Sequence, residues 1–260
     1  MEVVILSGKE EAGALAADAI EALFRAKPDG VLGLATGSSP LPIYDELARR
    51  HQEQGLSFTR AQGFALDEYV GLVSGHPQSY REVLRREFTE RVDIDPDRVH
   101  APDGTATDIG QACAAYEAAI KAAGGVDVQI LGIGTDGHIG FNEPVSSLAS
   151  RTRIKTLTEQ TRQDNARFFD AAEEVPHHVV TQGLGTIMEA RHILLIATGA
   201  QKAGAVQALV EGPVSALCPA SVLQLHPHVT VLIDSASAGQ LKLTEYYRHT
   251  WANKPHWQGL

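Results

Sequence analysis

The chain is short of cysteine, of positive charge and of long apolar runs, and each shortage excludes something. Its two cysteines, Cys113 and Cys218, stand far apart and fit neither a disulfide framework nor a metal-ligand spacing, so a reducing, cytoplasmic setting is expected. Lys and Arg number 22 against 32 Asp and Glu, a formal net charge of −10 over 260 residues. Phosphate backbones reward basic surfaces, so no nucleic-acid partner is expected. No apolar run approaches the ~20 residues that a membrane span needs. The N-terminus lacks the basic and long apolar stretches of a signal peptide. Any anionic ligand must be caught by a local site that works against the overall field. What remains, 43% hydrophobic and 21% charged residues, is an ordinary globular composition of a length that one large domain can use.

Short apolar runs alternate with segments of helical periodicity. Residues 3–6, 31–35, 64–66, 126–133, 192–197 and 229–233 read as buried strands. Between them, Ala12, Leu15, Ala16, Ala19 and Leu23 recur at helical spacing, as do Ile43, Leu47 and Ala48. Tyr80, Val83, Leu84 and Phe88 mark another helix, as do Ala112, Tyr116, Ala119 and Ile120, and then residues 202–210. Strands separated by helices of this length imply βαβ crossovers. The expected fold is therefore α/β: a three-layer, mainly parallel open sheet with helices on both faces, Rossmann-like, in one domain over residues 1–260. The stretch from Pro144 to Val180 is more polar, with Arg151, Arg153, Lys155, Arg162 and Arg167. It suits either a lid near 150–180 or a solvated helix face, and composition alone favours the solvated face.

In open α/β sheets ligands sit beyond the carboxyl ends of the strands. Thr36-Gly37-Ser38-Ser39-Pro40 has the parts for an anion there: Gly37 lets the backbone turn, Ser38 and Ser39 offer hydroxyls and amides, and Pro40 suits the first helical position with Ser39 as N-cap. No Gly-Lys-Ser/Thr follows, so a nucleotide triphosphate is not indicated. Leu34-Ala35-Thr36-Gly37 is echoed by Ile196-Ala197-Thr198-Gly199, and Lys202 follows three residues later. A lysine in a helix's first turn opposes the dipole, a conflict that a bound anion would remove; otherwise Lys202 is a solvated surface residue.

The most informative segment runs from Leu131 to Pro144. Gly132, Gly134 and Gly137 match G-x-G-x-x-G, but Gly140 and Pro144 follow, so no clean helix opens and a dinucleotide is not expected. What remains is a glycine-rich loop carrying Asp136, His138 and Glu143. Two carboxylates beside one imidazole can fix its tautomer and stabilise its charged form, which makes a proton shuttle. Asp67, at the end of the third apolar run, is a second strand-end acid. His177, His178, His226 and His228 have no supporting ligand pattern and read as loop residues; neither metal nor cofactor is expected.

These parts suggest proton transfer on a sugar phosphate, and the chain resembles the glucosamine-6-phosphate deaminase family along nearly its whole length. The resemblance is carried by residues 32–40, by Asp67-Glu68-Tyr69-Val70-Gly71, by His76-Pro77-Gln78-Ser79-Tyr80, by residues 136–144 ending in Phe141-Asn142-Glu143-Pro144, by residues 150–158, by Glu211-Gly212-Pro213 and by Leu223-Gln224-Leu225-His226-Pro227. It implies conversion of glucosamine 6-phosphate and water to fructose 6-phosphate and ammonia without a cofactor, the ligand being a small amino-sugar phosphate. His138 would move a proton during ring opening, with Asp136 and Glu143 orienting it, and Asp67 would carry the C2 proton to C1. Ser38, Ser39, Arg167 and Lys202 match positions that hold the phosphate, with Gly37 in the turn. Arg167 falls on a movable lid in that family, which replaces the compositional reading of a solvated face. Some members are hexamers activated by N-acetylglucosamine 6-phosphate, which implies a homo-oligomer, and Ser146, Ser147, Arg153 and Lys155 resemble their effector contacts. Two departures stand out: Gly140 where several relatives have Ala, and a segment after Thr244 unlike that of the allosteric members. The rivals in the same fold are a galactosamine-6-phosphate deaminase and a 6-phosphogluconolactonase-like hydrolase. A related effector domain of a transcription regulator would need a basic helix-turn-helix that this chain does not carry.

Overall fold

In the computed structural model, which describes residues 1–166, 169 and 175–260, three strands are buried at every position: β2 (Val31–Leu34), β6 (Val128–Leu131) and β9 (His192–Ala197). Successive strand residues point to opposite faces, so burial of every residue means that both faces of the sheet are covered. Four more strands complete this sheet: β1 (Glu2–Leu6), β3 (Gln62–Ala65), β5 (Val99–His100) and β10 (Val229–Asp234). The order is β1-β10-β9-β6-β2-β3-β5 and all pairings are parallel. The helices between them are α1 (Lys9–Ala26), α2 (Leu41–Gln54), α3 (Tyr80–Glu87), α4 (Ile109–Ala122), α6 (Leu184–Ile187) and α7 (Ala203–Val210), with α8 (Thr244–Ala252) packed beside β1. The expected α/β architecture is observed, with strand ends displaced by one or two residues.

The order places the ligand crevice. From β2 the chain runs outward through β3 to β5, then returns to β6 on the other side of β2 and runs out through β9 to β10. The direction of winding thus reverses between β2 and β6, where the loops after the two strands part and leave a gap.

Periodicity did not reveal a second sheet. Residues β4 (Asp67–Tyr69), β8 (His178–Thr181) and β7 (Arg153–Thr156) form an antiparallel unit in the order β4-β8-β7. These strands are short, and β7 alternates half-buried with exposed positions, so no apolar run marks it. A separate apolar cluster of Tyr69, Phe141, Leu157, Val175 and Val179 lies under it. Between β7 and β8 comes α5 (Glu159–Ala166), which belongs to the polar excursion. Arg167 lies outside the described residues.

Two of the loop histidines are structural. His226 is buried with Nε2 2.7 Å from the Ala190 carbonyl, and His228 stacks on His192 with ring centroids 3.6 Å apart. Among the described residues no helix is long and apolar enough to cross a membrane.

Candidate active site

Beyond the ends of β2 and β6 lies a cavity of about 660 Å³, lined by Gly37, Ser38, Ser39, Asp67, His138 and Lys202 among others. The residues singled out from four separate stretches of sequence therefore face one space. A smaller cavity of about 350 Å³, among Glu2, His228, Tyr247 and Lys254, holds none of them.

The anion end is built on the turn after β2. Gly37 has φ 90°, a conformation that costs any side-chain-bearing residue, and the space beside its Cα is open. The expected N-cap moves by one residue: Pro40, not Ser39, caps α2, its carbonyl accepting the amides of Ile43 and Tyr44 at 2.9 and 3.1 Å. Pro42 in the first turn has no N–H, which removes a donor that a capping serine would serve. Ser39 is released to pack over the end of β6, where a Cβ on Gly132 would lie 3.0 Å from its Oγ. The turn's start is secured from α2: the Tyr44 hydroxyl donates to the Ala35 carbonyl at 2.8 Å and accepts the Ala35 amide at 3.2 Å. On the opposite side, Lys202 ends a 3₁₀ turn, Ala200–Lys202, directly before α7 rather than lying inside the helix.

The acid–base end is built on the loop after β6. His138 Nδ1 lies 2.7 Å from Asp136 Oδ1 and 3.9 Å from Glu143 Oε2. The Asp136 oxygen sits off the line of the ring N–H, so the two groups are close without an aligned hydrogen bond. The His138 ring rests on Gly134, where a Cβ would overlap it. Burial disfavours the charge on Asp136, but the His138 ring and amide outweigh it and hold the carboxyl well below its ordinary range. Glu143 is buried, and its Oε1 accepts the Thr161 hydroxyl at 2.6 Å. These three groups bring one ligand atom each within 4.8 Å of one another, the sole such grouping among the described residues that could hold a metal ion.

Asp67 opens β4 and is 5% exposed. A methyl group on Gly140 would lie 3.7 Å from its Oδ2, which places the carboxyl against the His138 loop. Burial, and then the charge of Glu68, push its pKa up to about 8. Glu68 beside it does other work: its carboxylate accepts the amides of Tyr69, Tyr80 and Arg81 at 2.8, 2.9 and 3.0 Å and so pins the start of α3. Adjacent acids thus divide between an open position and an anchored one.

Comparison with known proteins gives the family. The family of glucosamine-6-phosphate isomerases/6-phosphogluconolactonase matches residues 8–232. The chain belongs to that family. It is 75% identical to the glucosamine-6-phosphate deaminase of Arthrobacter sp. (strain FB24) over 260 residues, the whole of both chains. It superimposes on a monomeric glucosamine-6-phosphate deaminase with a TM-score of 0.90 and 45% identity, covering 92% of this chain and 99% of that one. A 6-phosphogluconolactonase from Trypanosoma brucei shares the fold, with a TM-score of 0.74 at 21% identity over 92% of this chain and 98% of that one.

Among the lining residues, those that the sequence did not single out as site residues come from the excursion, from α3 and from the turn before it. Thr161, Asn165 and Phe169 line the cavity, as do Gln78 and Tyr80. Thr161 and Asn165 share one face of α5, but both are polar and leave no apolar stripe. Thr161 and Asn165 thus make this part of the excursion a border of the site, where composition alone favours a solvated face. The four expected effector residues lie elsewhere. Ser146 is buried and Ser147 exposed, Arg153 and Lys155 are on β7, and none of them lines the cavity. Among the described residues no hydrogen bond joins the serine pair to either basic residue.

Proposed function

We propose that the protein converts glucosamine 6-phosphate and water to fructose 6-phosphate and ammonia, with Asp67 and His138 as the proton carriers. The observation that carries the reading is that an acid with its pKa raised to about 8 and an imidazole 2.7 Å from a carboxylate line one cavity with Gly37–Ser39 and Lys202. The phosphate binds to the hydroxyls and amides of Ser38 and Ser39 and to the Lys202 ammonium, with Arg167 from the excursion. His138 takes the proton of the C1 hydroxyl and delivers it to the ring oxygen, opening the pyranose. Asp136 and Glu143 stabilise the imidazolium in between. Asp67, as carboxylate, then removes the C2 proton to give an enolamine and returns it at C1, leaving an imine at C2. Water adds to that carbon and ammonia departs.

The elevated pKa of Asp67 suits this task. A base is most effective when its pKa lies near the working pH. The substrate's own ammonium group, arriving beside the carboxyl, favours its charged form. The reading sets the reaction in the cytoplasm, in keeping with two buried free cysteines, and needs neither metal nor nucleotide.

Purified protein treated with a chelator is expected to release ammonia and fructose 6-phosphate in equal amounts from glucosamine 6-phosphate. Galactosamine 6-phosphate and 6-phosphogluconolactone form the other arms of the assay. Turnover of the lactone alone, or of the galacto epimer in preference, would replace the proposed substrate.

A further inference from the structure

The buried end of Glu143 faces away from the chemistry. Its Oε2 lies towards His138 at 3.9 Å, while Oε1 accepts the Thr161 hydroxyl at 2.6 Å. Thr161 is in the first turn of α5 and is itself buried. Behind it stands Thr158, whose Oγ accepts the Thr161 amide at 3.2 Å and lies 2.9 Å from the Thr161 Oγ. Each hydroxyl has one proton to give. Since Thr161 gives its proton to the carboxylate, Thr158 is the donor between the two threonines at 2.9 Å, its hydroxyl lying 3.5 Å from the same Glu143 oxygen. The result is a directed chain: Thr158 hydroxyl to Thr161 hydroxyl to Glu143. In such a chain each bond polarises the next, and the chain strengthens when its last acceptor is charged.

We propose that Thr161 is a positioning residue: its hydroxyl holds one oxygen of Glu143 so that the other faces His138, which ties the acid–base pair to the seating of α5. A second link fastens the same helix face four residues on, where Asn165 Nδ2 donates to the Tyr69 hydroxyl at 2.9 Å on β4, two residues from Asp67. Both proton-carrying elements are thus joined to one short helix. The inference rests on the roles proposed above for His138 and Glu143. It adds that the geometry of this pair is complete only while α5 is docked.

Thr161→Val keeps the shape of the side chain and removes the donor, whereas Thr161→Ser keeps the donor. Steady-state kinetics on glucosamine 6-phosphate across the neutral pH range are expected to show kcat reduced about tenfold in Thr161→Val, the scale of one hydrogen bond to a charged group, with KM within about twofold. The pH profile of kcat should be displaced, and Thr161→Ser should restore both. Parent-like kcat and pH profile in Thr161→Val would overturn the proposal, as would a serine variant as slow as the valine one, since the methyl group would then be what matters. Glu143→Gln separates the two levels of the argument. Parent-like turnover in Glu143→Gln means that the site reading is at fault; a large loss there beside a parent-like Thr161→Val sinks the Thr161 role alone. Should Thr161→Val fail to fold, Thr158→Val removes the donor behind it, together with the acceptor of the Thr161 amide, and is expected to displace the pH profile in the same direction, with an unmoved profile counting against the chain.

Discussion

The turns after β2 and β9 begin with the same residues, Ala-Thr-Gly, and follow the same backbone path, Gly37 at φ 90° and Gly199 at φ 91°, yet they offer a ligand different things. The Gly199 amide is already taken: the Asp234 carboxylate accepts it at 3.1 and 3.0 Å from its two oxygens. Around Gly37 the space is open, and among the described residues no partner engages the Ser38 or Ser39 hydroxyl. The difference comes from the neighbouring strand. Next to β9 runs β10, which ends in Asp234; next to β2 runs β6, which is followed by Gly132 with no side chain to reach across. One turn therefore contributes neutral donors, and the other contributes charge through Lys202. Local sequence sets the path of a turn, and tertiary neighbours decide whether its donors remain free.

Both turns serve binding under the proposed function, while Asp67 serves chemistry, and that division can be attacked in order of expected effect. The largest is Asp67→Asn, which should lower kcat by ~10²–10⁴, the usual contribution of an acid–base group, with KM little changed. A variant that kept kcat and lost affinity would move Asp67 to the binding side. Lys202→Ala should come next, raising KM by about 10–100-fold through loss of a charge-assisted contact, against about 2–10-fold for Ser39→Ala at a neutral one. Equal losses in the two variants would erase the contrast between the turns.

The smallest effect is on stability. Asp67 has a folded pKa of about 8, above the 3.8 of an ordinary aspartate, so between those values the native state binds the extra proton. Stability contributed by this group is therefore full below the unfolded pKa and is lost as pH rises towards 8. Asparagine never ionises, so Asp67→Asn should melt above the parent by about 2–4 °C for each kcal/mol at pH 8, with the gap closing near pH 4. A gap that widened on acidification would mean that Asp67 is ionised in the empty site.

Six of the seven strands of the main sheet were legible because they are apolar at most positions and its helices carry an apolar stripe, whereas β5 is only two half-buried residues. The acid–base loop was legible because Asp136, His138 and Glu143 are near neighbours in sequence. The convergence of Asp67 with them came from the family resemblance and not from the residue pattern, since β4 pairs with β8, whose partner β7 alternates too weakly to be noticed. The N-cap of α2 was misplaced by one residue because two prolines, Pro40 and Pro42, each suit a helix start. Thr161 escaped notice for a simpler reason: a hydroxyl in a polar helix carries no signal until its acceptor is seen.

The paired bonds between Tyr44 and Ala35 have a consequence for how this protein can change. They stitch the exit of a strand to the second turn of the helix that follows, closing a loop of fixed length around Gly37, Ser38 and Ser39. An inserted or deleted residue inside that stitch would have to break it or displace the serines, whereas the mostly exposed run from Gly71 to Gly75 is held by backbone bonds alone, Gly71 to Gly104 and His76 to Val73, and can vary in length at less cost. Evolution can lengthen such a surface run far more freely than the floor of this pocket.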